Sequence, residues 1–151
     1  MKIFYLLLLI GFVHVVQAQE DSSKNKPYLT RITMDVTDVQ DPLLFASSID
    51  ISLKSARNKA KYATQILLGS MDIGDVRTLQ FDLLEKNTVY ADISSSLIQF
   101  NFKSRSVDDF NGVFNFIFEF SDGSNYPYRL GKINIGNNLR LSIISRTIYI
   151  R

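Results

Sequence analysis

The segment VFNFIFEF sets Phe114, Phe116, Phe118 and Phe120 on every second residue. That spacing puts all four rings on one face of an extended strand, because successive strand side chains point to opposite faces. Four aromatics on one face of a strand bordered by turns suit the interior between two packed sheets, although a hollow sandwich holding a lipid would carry the same pattern. Ile117, on the opposite face, implies partial cover on both sides.

The same period recurs along the chain. Tyr28, Ile32, Met34 and Val36 share a face opposite Arg31, Thr33, Asp35 and Thr37. Ile49, Ile51 and Leu53 alternate with Asp50 and Ser52. Leu79, Phe81 and Leu83 alternate with Thr78, Gln80 and Asp82, with the stem of Arg77 at the rim, and Ile98, Phe100 and Phe102 alternate with Gln99, Asn101 and Lys103. DDFNG at 108–112, SDGSN at 121–125 and GNN at 136–138 supply the turns. In LRLSIISRTIYIR the apolar parity changes between Ile143 and Ile144, which predicts a bulge or bend near Ser145.

KSARNKAKYATQILLG carries two periods at once. Ala56, Ala60, Ala63 and Leu67 lie at helical spacing, whereas Tyr62, Thr64, Ile66 and Leu68 alternate as a strand. The reading favoured over a helix is a basic loop feeding a strand. With the other runs this gives an all-β chain, an antiparallel β-sandwich or open barrel of about eight to nine strands with almost no helix.

Lys2 followed by IFYLLLLIGFVHVV, with Val16 and Ala18 at small-residue cleavage positions, predicts a signal peptide over 1–18. The apolar run is too short to span a bilayer, and no second run of membrane length follows. Residues 19–27, QEDSSKNKP, are expected to form a polar arm ahead of a single β-sandwich domain over 28–151. The protein is accordingly expected to be secreted, extracellular and not membrane-spanning.

Cleavage after Ala18 would remove His14, the one histidine, and the chain contains no cysteine. A mature protein without either lacks the commonest general base, thiol nucleophile and soft-metal ligands, so no enzyme activity and no cofactor are expected. A Ser-Lys dyad or a carboxylate pair is allowed by composition, but neither sits in a recognisable motif. Without disulfides the fold must rest on a packed core. The net charge is only +2, which argues against a nucleic-acid partner. No Asn-x-Ser/Thr glycosylation site is present.

Two groups of side chains stand out. Lys54, Arg57, Lys59 and Lys61 fall within eight residues, with no acidic residue between Asp50 and Asp72. They are the candidate contact for an anionic surface, the alternative being a solvated loop. Asp72 and Asp75 in MDIGDV, and Asp108, Asp109 and Asn111 in DDFNG, are weak calcium candidates, since neither turn has the ligand spacing of an EF-hand loop.

FASSIDISLKS, QILLGS and MDIGDVRTLQFDL resemble successive strands of the PLAT/LH2 β-sandwich of secreted lipases and lipoxygenases, over roughly residues 28–84. The buried Trp of that family has no counterpart here, nor does the glycine expected near Ser47 and Ser55. The resemblance implies a lipid- or protein-docking module without catalytic activity. The expected function is thus a secreted binding protein that contacts an extracellular protein, glycan or anionic lipid surface through loops or sheet edges. A structural component of an extracellular material and a venom or salivary effector are the alternatives.

Overall fold

The computed structural model describes residues 26–44, 47–103, 109–135 and 141–148. The expected signal peptide and most of the arm lie outside them. Among the described residues nine strands form two antiparallel sheets. In chain order they are β1 (Leu29–Asp41), β2 (Ser48–Ser55), β3 (Lys61–Leu68), β4 (Arg77–Gln80), β5 (Asp82–Leu83), β6 (Ser96–Lys103), β7 (Phe110–Phe120), β8 (Asn125–Ile135) and β9 (Leu141–Thr147), with a four-residue helix, α1 (Tyr90–Ile93), before β6. One sheet runs β4-β1-β7-β8 and the other β5-β3-β2-β6-β9.

The two sheets face each other across one apolar core. The four-stranded sheet contributes Ile32, Met34, Val36 and the phenylalanines of β7, and the five-stranded sheet contributes Ile49, Ile51, Leu53, Ile98, Phe100 and Phe102. Every phenylalanine of VFNFIFEF is at most 3% exposed. Phe100 and Phe114 meet edge-to-face across the interior with ring centroids 5.0 Å apart, a favoured aromatic geometry. The sandwich is filled rather than hollow there: the gap among Ile32, Leu53, Phe81, Ile98, Phe116 and Phe118 has no room for a water-sized molecule. Ile117 points the other way and is 38% exposed, whereas Val113 at the same parity is 6% exposed, so the second face of this strand is partly covered, as its sequence implies.

Several expected details are corrected. Residues 77–83 read as one alternating strand, but the chain changes sheets at Phe81: β4 pairs with β1 and β5 with β3. Phe81 itself is buried, and its N–H donates to Ile32 O at 3.0 Å, so the corner is plugged by a ring that both sheets enclose. Strands that switch sheets make such corners. Tyr28 is 44% exposed whereas Leu29 is 3% exposed; the register shift between Leu29 and Arg31 reverses the parity expected for the start of β1. Pairing of β6 with β9 runs unbroken from Leu97↔Thr147 to Lys103↔Leu141, without the bulge expected near Ser145.

The strand reading of 61–68 holds, but the alternating set Tyr62, Thr64, Ile66 and Leu68 is not the core face. Leu53 opposes Ala63, Ile51 opposes Gln65 and Ile49 opposes Leu67, so Ala63 and Leu67 go inward and are fully buried. Ile66 and Leu68 stand exposed on the outer face. Among the described residues no helix is long and apolar enough to cross a membrane.

Candidate functional site

The four cations singled out from the sequence are brought together on the β2–β3 hairpin. Ser55 N–H donates to Ala60 O at 2.8 Å and Lys59 N–H to Ser55 O at 3.2 Å, closing a tight loop. Its tip is held by side chains of the kinds that favour turns. Ser55 Oγ accepts from Arg57 N–H, and Asn58 Oδ1 accepts from Ala60 N–H at 3.1 Å.

A bulge sets the cation geometry. Between Leu53↔Ala63 and Lys54↔Lys61 the register shifts by one, so Tyr62 is the extra residue, and its carbonyl accepts instead from Leu84 N–H at 2.8 Å. The shift sets Lys54 directly opposite Lys61, an arrangement of like charges that destabilises a ladder. Lys54 is half-buried and donates from Nζ to Gln99 Oε1 at 2.7 Å. Arg57, Lys59 and Lys61 are exposed. Among the described residues, the ion pairs are Arg31–Glu119 and Lys103–Asp50, so none of the hairpin cations is neutralised by a carboxylate.

Lys59 sits at φ +63°, the left-handed region that costs an L-residue with a Cβ about 1 kcal/mol or more. Lys59→Gly is therefore expected to raise stability by about 1 kcal/mol in urea unfolding, because glycine adopts that φ without steric cost. No gain, or a loss, would show that the Lys59 side chain stabilises the turn. The positive φ of Lys59 costs backbone energy and the Lys54–Lys61 pair costs electrostatic energy, and such local conflicts are expected at functional sites.

The calcium candidates among the described residues are not brought together. Asp75 Oδ2 accepts from Asp72 N–H at 2.9 Å, and Asp75 N–H donates to Asp72 O at 3.1 Å, contacts that close the turn on itself. Asp109 is exposed and precedes β7, Asn111 is buried within that strand, and Asp108 lies outside the described residues. Among the described residues no group of three or more His, Cys, Asp or Glu could hold a metal ion. The expected thermal midpoint is accordingly the same with and without EDTA. A drop of many degrees on chelation would show that these turns bind calcium.

At the same end of the sandwich as the hairpin, the 121–124 turn has Asp122 Oδ1 accepting from both the Ser124 hydroxyl at 2.6 Å and its N–H at 3.0 Å, which hold the Asp122 carboxyl below its ordinary pKa. The aromatic cluster of Tyr90, Phe120 and Tyr126 supports this end, with Tyr90 and Tyr126 centroids 4.8 Å apart. Sequence reading found the cations but missed Gln99, the residue that anchors Lys54; its place opposite Ser52 on β6 follows from strand pairing that no local pattern encodes.

The fold and this hairpin together define the class: an all-β, antiparallel sandwich bearing a basic hairpin with no carboxylate paired to it among the described residues. No protein-family model, curated protein or solved structure matches the chain.

Proposed function

We propose that this is a secreted, non-enzymatic binding module whose β2–β3 hairpin holds an anionic partner in the extracellular space. The observation that carries the reading is the direct opposition of Lys54 and Lys61 beneath a tip that bears Arg57 and Lys59, with no carboxylate paired to any of the four among the described residues. An anion placed there relieves the like-charge opposition and uses cations already collected on a rigid two-stranded element. The PLAT/LH2 resemblance, which implies docking without catalysis, agrees with it.

Changing Lys54, Arg57, Lys59 and Lys61 together to Gln tests the reading. The thermal midpoint is expected to stay within a few degrees of wild type, since three of the four side chains are exposed and exposed charges contribute little to stability. Binding to anionic vesicles or polyanions at low salt is expected to weaken by at least about tenfold, because each near-surface cation contributes about 1 kcal/mol. Wild-type binding is expected to fall as salt shortens the Debye length to about 8 Å near physiological ionic strength. Binding by the variant equal to wild type would remove the hairpin from the interface.

A further inference from the structure

The geometry points to an acidic polysaccharide as the ligand, lying along the outer face of the five-stranded sheet from the hairpin across β2 and β6. This rests on the reading of the hairpin as an anion contact. Ile49, Ile51, Leu53, Ile98, Phe100 and Phe102 occupy the core face, so their alternates form the outer one. There Ser52 faces Gln99, Asp50 faces Asn101 and Ser48 faces Lys103. A hydrogen-bonded chain runs through this strip: Lys54 Nζ donates to Gln99 Oε1 at 2.7 Å, and Gln99 Nε2 donates to Asn101 Oδ1 at 3.0 Å. Lys103 pairs with Asp50 at its far end.

Primary amides donate and accept together, which is what sugar hydroxyls require, while the hairpin cations suit carboxylate or sulfate groups. The strip follows the eight residues of β2, about 25 Å at roughly 3.3 Å per residue, which accommodates several sugar units end to end. Exposed Ile66 and Leu68 flank it on β3 and offer apolar surface to the C–H faces of sugar rings. A bilayer would meet the cations at the hairpin tip but would gain nothing from half-buried amides set along a strand.

Ser52 supplies an independent observation. It is 4% exposed, and its Oγ has no hydrogen-bond partner, which destabilises the free state. Its ladder neighbours on this face are Thr64 and Gln99. The Thr64 hydroxyl donates to Ile51 O, and Gln99 Oε1 is engaged by Lys54. An acidic group on the ligand competes for the Lys54 ammonium. Lys54 at Oε1 and Asn101 at Nε2 fix the orientation of the Gln99 amide; once Lys54 turns to the ligand, the amide can reorient so that Oε1 accepts from the Ser52 hydroxyl across the ladder. Ligand binding thereby satisfies a group that the free protein leaves unmet.

The experiment titrates the secreted full-length product, as wild type, Ser52→Ala and the amide variant Asn101→Ala, with size-defined heparin oligosaccharides and separately with phosphatidylserine vesicles at low salt. Wild type is expected to bind the oligosaccharide. Ser52→Ala is expected to lose about fivefold in that affinity with no fall in thermal midpoint, since its hydroxyl bonds to nothing in the free protein. The amide variant is expected to lose about tenfold for the oligosaccharide and nothing for vesicles. Wild-type oligosaccharide affinity in both variants would overturn the proposal and leave the hairpin reading standing, as would binding to vesicles alone. Binding to neither probe would overturn both.

Discussion

Replacing Phe116 by Ala is expected to destabilise the protein by about 3 to 5 kcal/mol, read as a lowered urea midpoint with an unchanged slope. Phe116 is 2% exposed. Its ring lies 6.0 Å from that of Phe81 and 6.3 Å from that of Phe118, the latter stacked at 14°. It is thus enclosed by its own strand and by the corner between the sheets, and neither can collapse freely into the space that alanine leaves. A loss under about 1 kcal/mol would mean that the phenylalanine stripe is not the core.

Phe81→Ala is expected to cost nearly as much, again about 3 to 5 kcal/mol, for a different reason. Phe81 is the point at which the chain leaves the four-stranded sheet and enters the other, and the short β5 beyond it pairs with β3 at Ala63↔Leu83 and Thr64↔Asp82, extended by Leu84 N–H to Tyr62 O. Losing the ring opens a cavity and frees this short strand together. Amide exchange at Ala63 and Thr64 is expected to accelerate more in Phe81→Ala than in Phe116→Ala at matched stability. The double variant is expected to fall short of the sum of the two, because the rings touch one cavity. Equal exchange in both single variants would detach the corner from the edge of the sheet.

The sheet faces were legible wherever one side of a strand is apolar and the other polar, as in Ile49–Leu53, Ile98–Phe102 and the β7 phenylalanines. Legibility failed where a strand carries apolar groups on both sides. Ala63 and Leu67 go inward only because Leu53 and Ile49 oppose them, a long-range pairing that outweighs the more conspicuous alternation of Ile66 and Leu68. It failed again at Phe81, since a chain that changes sheets keeps its period-two pattern while its hydrogen-bond partner changes. The short helix α1 has no apolar stripe to announce it; Asp92 fixes its start by accepting from Val89 N–H at 3.1 Å. The cations of the hairpin were visible as composition, but the opposition of Lys54 to Lys61 depends on the bulge at Tyr62. The anchoring of Lys54 depends on β6, more than forty residues away.

Residue-resolved NMR of the protein titrated with an anionic oligosaccharide at low salt tests the hairpin contact most directly. Amide shift changes are expected to concentrate at 52–61 and 97–101 and to diminish as salt is added. Shift changes confined to the opposite end of the sandwich, at 42–44 and 69–76, with the hairpin unperturbed, would contradict that contact.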